Sequence, residues 1–338
     1  MPDPGVRRNP AMSTIPTIDV ACLRPGCRAA ALEGVADAIR AACEATGFFV
    51  IVNHGVPAGL VDDIFVANRR FHALPLEQKR ALRTNKWHRG YMGFGDATLK
   101  SSARFAAARR PNLMESFFVR HEVAPEHPDC LAGKPLQGPN QWPADPWLRQ
   151  AMQRYDAAIV DLGQRLLCAL SVAVGEVPDF LGRFFAPPST ALRLIHYPPT
   201  PEDRPDDLFG SHPHTDYGFL TILAQDDVGG LQVQGQDGAW MPVPSIPDAF
   251  VVNIGDVFAQ WTNNAFNSTP HRVINASTRR DRYSVAFFFD PNLDAVVRCL
   301  PRFCADRPAI YAPVRFVDYY TARLDANYVR YDEPSVAL

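Results

Sequence analysis

The chain has 338 residues, of which 47% are hydrophobic and 21% are charged, as is usual for a globular protein with a full core. Its net charge of −2 excludes a large electrostatic field of the kind that draws proteins to nucleic acid or to anionic membranes. The seven cysteines are scattered without a CxxC pair, the N-terminus lacks a signal-peptide pattern, and the longest apolar run is too short to cross a bilayer, so a cytoplasmic protein is expected.

The N-terminal part is predicted to mix strands and helices. The sequence first takes a folded pattern at Met12, so residues 1–11 are predicted to be a disordered extension. Residues 15–20 indicate a short strand, and apolar residues at helical spacing predict a helix over 29–45. The apolar run 48–52 is typical of a strand buried on both faces.

The middle of the chain is predicted to be mainly helical. Helices are expected to open at Pro57 and Pro75, because proline suits the first helical turn. Residues 90–95 are rich in glycine and predict a loop, without the flanking strand and helix that a dinucleotide site requires. Residues 125–143 predict a long surface connection, and 145–174 predict a long helix.

A series of short strands follows, separated by turn signals, and a last helix is predicted over 317–328. The predicted strands are 192–198, 219–226, 229–235, 239–244, 249–256, 271–275 and 283–290, with a hairpin turn at 235–238. This spacing favours a barrel or sandwich, most simply a double-stranded β-helix of the jelly-roll type. The fold class expected is mainly β with flanking helices.

One compact unit is expected, with four regions after the N-terminal extension. These are an N-terminal helical and strand region at 12–125, a connection with the long helix at 126–185, the β core at 186–295, and a C-terminal helix and tail at 296–338.

His214, Asp216 and His271 form the strongest candidate site. Two imidazoles and one carboxylate make the facial set of ligands that leaves positions open on Fe(II). Residues i and i+2 of an extended segment point to the same side, so one strand end can present both His214 and Asp216, while a distant strand supplies His271. His212 does not alternate onto that face and is predicted not to bind metal. By itself, an H-x-D pattern also arises by chance.

Arg282 and Ser284 form a second candidate site. They alternate onto one face of a predicted strand with apolar neighbours. A guanidinium beside a hydroxyl suits a carboxylate, which accepts two hydrogen bonds from the first and one more from the second. The alternative is a surface salt bridge, which is the usual fate of a strand arginine.

The order His214-x-Asp216, His271, Arg282-x-Ser284 resembles that of the 2-oxoglutarate and Fe(II)-dependent dioxygenases, in the isopenicillin N synthase-like branch and closest to its bacterial members. Further matching segments are IPTIDV at 15–20, GFFVIVNHGV at 47–56, LIHYPP at 194–199, GGLQV at 229–233 and NIGD at 253–256.

The resemblance implies Fe(II) at the triad and 2-oxoglutarate chelating it, with the distal carboxylate at Arg282 and Ser284. Tyr197 matches a tyrosine that adds a hydrogen bond near the co-substrate or substrate. The implied reaction uses O₂, yields succinate and CO₂, and oxidises, most simply hydroxylates, a small organic molecule. No further side chain is expected to act as an acid or base. Plant members carry Asn where this chain has Ile195, which removes one polar contact.

Substrate contacts and other interpretations stay open at the sequence level. Arg193 shares a strand face with Tyr197 and is expected either to meet an acidic substrate or to form a structural ion pair, and Tyr91 and Phe94 are expected to line the entrance. An isopenicillin N synthase-type oxidase would instead hold its substrate carboxylate at Arg282. A zinc hydrolase and a non-catalytic ligand-binding protein of the same fold are the remaining alternatives.

Overall fold

The computed structural model describes residues 14–24, 26–96, 105 and 107–327. The predicted extension at 1–11 lies outside these residues, as does Tyr328 at the end of the predicted last helix. The helices are α1 Ala29–Ala45, α2 Ala58–His72, α3 Leu76–Arg80, α4 Pro128–Leu131, α5 Pro146–Ala173, α6 Asp256–Trp261 and α7 Phe316–Asn327. The strands are β1 Thr17–Asp19, β2 Phe48–Val52, β3 Gly90–Met92, β4 Glu115–Arg120, β5 Ser189–Tyr197, β6 Ser211–His214, β7 Leu220–Gln225, β8 Leu231–Gln234, β9 Trp240–Pro242, β10 Phe250–Ile254, β11 His271–Val273, β12 Arg282–Asp290, β13 Val296–Val297 and β14 Val314–Arg315.

Two sheets enclose the centre of the protein. The major sheet has eight strands in the order β1-β2-β10-β7-β12-β5-β4-β3, and the minor sheet has four in the order β6-β11-β8-β9. All their pairings are antiparallel except β1 with β2. A cavity between them is lined by residues of both sheets. This is the predicted double-stranded β-helix with flanking helices.

The major sheet is buried on both faces, and β2 shows how its residues alternate. Phe48 and Val50 pack toward the minor sheet, whereas Phe49 and Ile51 pack into the core that the helices cover. A strand that is buried on both faces consists of consecutive apolar residues, and this pattern predicted the strand over 48–52. The same alternation on β12 turns Arg282 and Ser284 toward the cavity.

The long helix α5 organises the helical layer. Asp145 caps its N-terminus by accepting a hydrogen bond from the amide of Trp147 at 2.9 Å. Helices α1 and α2 both pack against α5, and α2 also packs against β12 and β5. The glycine between α1 and β2 is obligatory, because a Cβ on Gly47, whose φ is 66°, would lie 1.8 Å from the carbonyl oxygen of Asn267.

The predicted loop over 90–95 requires a correction. Gly90 to Met92 form an edge strand, β3, which pairs antiparallel with β4. Gly90 is needed there because a Cβ would lie 2.3 Å from the carbonyl oxygen of Leu82. The glycine therefore serves close backbone approach in a strand. The predicted surface connection 125–143 also contains the short helix α4. None of the helices in the described ranges is long and apolar enough to cross a membrane.

Candidate metal and co-substrate site

His214, Asp216 and His271 come together at one end of the cavity. His214 ends β6, Asp216 follows in the next loop, and His271 begins β11 directly opposite His214. The Nε2 atoms of His214 and His271 lie 3.9 and 3.7 Å from Oδ1 of Asp216. The three ligand atoms all lie within 4.8 Å of one another, as binding to a single ion requires.

Backbone carbonyls orient both imidazoles. Nδ1 of His214 donates to the carbonyl oxygen of His212 at 2.6 Å, and Nδ1 of His271 donates to that of Thr269 at 3.3 Å. Because a carbonyl oxygen only accepts, the ring proton sits on Nδ1 and the Nε2 lone pair is left for a metal.

Two side chains of the major sheet hold Asp216. Its Oδ2 accepts hydrogen bonds from Thr221 Oγ1 at 2.6 Å and from Asn253 Nδ2 at 2.7 Å. Oδ1 is thereby left to face the histidines. Neither Thr221 nor Asn253 was singled out from the sequence, although Asn253 lies in the matching segment NIGD.

Electrostatics favour the ligand forms of these groups. Burial, with a further contribution from the charge of His271, lowers the pKa of His214 to about 4, so this imidazole is neutral at neutral pH. Burial opposes ionisation of Asp216, but the neighbouring histidines and the hydrogen bonds from Asn253 and Thr221 outweigh it and lower its pKa.

The donor set fits Fe(II). Two imidazole nitrogens and one carboxylate oxygen form a 2-His-1-carboxylate set, which suits a non-haem iron centre with open positions. His212 is not part of it, since its Nδ1 lies 2.7 Å from Asn112 Oδ1 and its ring packs on Phe209. That His212 does not bind metal stays a prediction.

Arg282 lies in the same cavity, with no exposed surface of its own. Its Nη1 is 3.4 Å from Ser284 Oγ and its Nη2 is 3.3 Å from Gln225 Oε1, whereas its Nε has no hydrogen-bond partner. Among the described residues, no carboxylate forms an ion pair with it. The guanidinium of Arg282 lies 4.8 Å above the ring of Tyr197. A buried cation with an unpartnered donor suits an incoming carboxylate.

Two residues that the sequence analysis placed near the co-substrate, Tyr197 and Ile195, lie in the cavity wall. Both lie on β5 opposite Arg282 and Ser284. The side chain of Ile195 is apolar, so it offers no hydrogen bond to a co-substrate.

The three predicted substrate residues lie in different places. Arg193 lines the cavity and is 7% exposed. Tyr91 points the other way, because its hydroxyl donates to Glu115 Oε2 at 2.6 Å, and its strand neighbour Met92 lines the cavity instead. Phe94 is 50% exposed and packs edge-on against His196, away from the cavity lining.

Other side chains of the cavity wall were not expected from the sequence. His88 lines the cavity, as do Phe118, Arg120 and, from α7, Tyr320 and Leu324. These positions follow from strand register and from the docking of α7, which no local pattern reveals.

Comparisons with known proteins agree with this geometry. Residues 188–291 match the 2OG-Fe(II) oxygenase superfamily, and residues 15–145 match the family described as non-haem dioxygenase in morphine synthesis N-terminal. The 2-oxoglutarate-Fe(II) type oxidoreductase hxnY of Emericella nidulans is 34% identical, over 90% of this chain and 88% of its own. Clavatol oxidase claD of Penicillium crustosum is 33% identical, over 93% of this chain and 96% of its own.

A solved structure extends the likeness to the fold. A full-length Neurospora crassa protein, crystallised in complex with alpha-KG and thymine, matches with a TM-score of 0.80 and 27% identity, covering 92% of this chain and 96% of that one. These relatives are fungal, so they do not support the predicted bacterial membership or the isopenicillin N synthase-like branch. The chain belongs to the 2OG-Fe(II) oxygenase superfamily and is an oxidoreductase of the Fe(II)- and 2-oxoglutarate-dependent dioxygenase class.

Proposed function

We propose that this enzyme hydroxylates a small organic molecule, with His214, Asp216 and His271 holding Fe(II) and with Arg282 and Ser284 holding the distal carboxylate of 2-oxoglutarate. The buried guanidinium of Arg282, whose Nε lacks a partner in the cavity of the triad, carries this proposal. The Neurospora crassa complex contains thymine, a small cyclic compound, which supports a small-molecule substrate.

Each side chain has a stated task in this mechanism. His214, Asp216 and His271 would hold Fe(II), which with bound 2-oxoglutarate would supply the activation of O₂, with succinate and CO₂ as co-products. Asp216 supplies the anionic ligand, and Thr221 and Asn253 fix its orientation. Arg282 and Ser284 hold the far end of the co-substrate, and the stack of Arg282 on Tyr197 holds the guanidinium. Ile195 and its neighbours give part of the cavity an apolar wall.

Affinity for 2-oxoglutarate in Arg282 variants tests this assignment. Arg282→Ala leaves a carboxylate unpaired in a dry pocket, which costs roughly 2–5 kcal/mol and lowers affinity more than tenfold. Arg282→Lys should lose less, since it keeps the charge but not the planar fork. Ser284→Ala should lose least, in line with one hydrogen bond to a charged group.

The readout is succinate release at varied 2-oxoglutarate concentration, with iron content measured in every variant. Arg280→Ala is the matched control, because Arg280 is exposed and pairs with Asp227. Normal 2-oxoglutarate affinity in Arg282→Ala would contradict the assignment. If the wild-type enzyme releases no succinate, Arg282 instead holds a substrate carboxylate, as in an isopenicillin N synthase-type oxidase.

The proposal includes a cytoplasmic location. All seven cysteines are free thiols, which is the state expected in a reducing compartment.

A further inference from the structure

Arg193 is a second buried arginine in the cavity, apart from the one assigned to the co-substrate. It lies on β5, opposite Phe118 of β4 and Ala286 of β12, and it is 7% exposed. Its side chain lines the same cavity as the metal triad.

The contacts of Arg193 leave its charge without an anion. Its Nη2 lies 3.8 Å from Sδ of Met114, and its guanidinium carbon lies 4.6 Å above the ring of Phe118. Its Nε has no hydrogen-bond partner. Within the described ranges, no carboxylate lies within ion-pair distance of it. A buried cation among a thioether and a phenyl ring is costly unless a ligand pairs with it.

The other arginine of the cavity wall, Arg120, is differently placed. Its Nε donates to the carbonyl oxygen of His88 at 3.2 Å, and its Nη2 lies 3.5 Å from the hydroxyl of Tyr320. Its charge also acts on the buried carboxyl of Asp290. Arg120 therefore has partners that Arg193 lacks.

Arg282 and Arg193 differ in their electrostatic surroundings. Asp226 acts on the charge of Arg282. No carboxylate of the described residues forms an ion pair with Arg193, whose single positive charge can therefore pair with an anionic group of the substrate. A phosphate dianion would exceed that single charge, whereas a carboxylate equals it and accepts the paired donors of a guanidinium.

The surfaces beside Arg193 are apolar. Ile195, Leu223, Ala286 and Phe288 line the cavity near it. Such walls favour a hydrocarbon or aromatic body over a polyhydroxylated one.

We infer that Arg193 determines substrate specificity and that the substrate is a monocarboxylate with an apolar body, an inference that rests on the proposed function. The carboxylate pairs with Arg193, and the body lies along the apolar wall toward the metal.

Paired acids and amides test this inference. The probes are benzoate, phenylacetate and cyclohexanecarboxylate, each against its primary amide, titrated calorimetrically without O₂ into protein loaded with Fe(II) and saturating 2-oxoglutarate. Saturation keeps the probes out of Arg282. At least one acid should bind about tenfold or more tighter than its amide, as the loss of a charge-assisted pair predicts. Equal affinity within all three pairs, including no measurable binding of any probe, overturns the inference.

Three variants test whether a preference for acids over amides depends on Arg193. Arg193→Met should abolish the preference for acids, and Arg193→Lys should keep part of it. Arg183→Gln is the matched control, because Arg183 also lies over a phenyl ring, 4.1 Å from that of Phe180, but is exposed outside the cavity. A preference that survives in Arg193→Met overturns the inference.

Thermal unfolding separates a ligand-binding arginine from a structural one. Arg193→Met replaces an unpaired buried charge by an apolar side chain of similar length, so its unfolding midpoint should not fall. A lower unfolding midpoint in Arg193→Met would show that Arg193 stabilises the fold, and it would overturn the inference. Binding of 2-oxoglutarate, followed separately, reports on the proposed function, so the two can fail independently.

Discussion

Asp216 divides its two carboxylate oxygens between two tasks. Oδ1 faces the Nε2 atoms of His214 and His271, and Oδ2 accepts hydrogen bonds from Thr221 and Asn253. Hydrogen bonds behind a metal ligand fix its orientation and so contribute to metal affinity. The minor sheet and the loop after β6 thus supply the three ligand residues, while Thr221 and Asn253 of the major sheet fix the orientation of Asp216.

Thr221→Val tests this division of tasks. Valine keeps the shape but removes the hydroxyl donor, so Fe(II) affinity should fall by roughly 10- to 100-fold. The measurement is an anaerobic Fe(II) titration, with far-UV circular dichroism to verify the fold. Thr321→Val on α7 is the control, because Thr321 Oγ1 donates to backbone carbonyls of its own helix. Equal affinity in both variants would contradict a role for Thr221.

Asp290 makes stability depend on pH. Its Oδ1 accepts a hydrogen bond from the amide of Phe219 at 2.6 Å, and burial raises its pKa from the ordinary range of an aspartate to about 7. The folded state therefore binds the proton more tightly than the unfolded state does. The stabilisation from this group is complete below about pH 4 and is lost as pH rises toward 7, by about 4 kcal/mol at most.

Asp290→Asn should remove this dependence, since the amide oxygen still accepts from Phe219 and no charge is buried. The free energy of unfolding is measured by urea titration for both proteins. The value for Asp290→Asn minus the value for the wild type should increase between about pH 5 and pH 8. An equal difference in free energy of unfolding between variant and wild type at pH 5 and pH 8 would show that Asp290 does not titrate between these pH values.

At the scale of elements, local patterns predicted the strands and helices that are buried on definite faces. Helix α1 was predicted with its observed bounds because Val35, Ile39 and Cys43 recur at helical spacing and are buried. Alternation likewise placed Arg282 and Ser284 on one face of β12.

Elements that depend on distant partners were not predictable in this way. Glycines suggested a loop at β3, but pairing with β4 makes it a strand, and the register of that pair turns Met92 rather than Tyr91 toward the cavity. Thr221 reaches Asp216 because it pairs with Asn253 across β7 and β10. Register between strands far apart in sequence is set by the whole sheet.

Two helical glycines give a prediction at this scale. A Cβ on Gly163 in α5 would lie 2.8 Å from the ring of Phe289, whereas a Cβ on Gly34 in α1 would meet nothing within 4 Å. Gly163→Ala should destabilise the protein by about 1–3 kcal/mol through overpacking. Gly34→Ala should stabilise it by up to about 1 kcal/mol, because alanine favours a helix interior. Urea unfolding measures both, and effects of the same sign would contradict this packing of α5 on β12.

At the scale of the molecule, the two sheets divide the site between them. The minor sheet carries His214 and His271, the major sheet carries Arg282 and Arg193, and α7 covers part of the cavity with Tyr320. In the proposed function, the co-substrate and the substrate therefore occupy separate regions of one cavity. Both sheets are needed to bring Arg193, Arg282 and the three metal-ligand residues to the same cavity.

The measurement that tests the central claim most directly is an anaerobic titration with Fe(II) and 2-oxoglutarate, followed by the visible charge-transfer absorption of the chelate. The wild-type protein should develop this band with one Fe(II) per chain. Asp216→Ala should lose the band together with the iron, and Arg282→Ala should keep the iron but need far more 2-oxoglutarate. Iron bound without a band in the wild-type protein, or an unchanged band in Asp216→Ala, would contradict the site described for this enzyme.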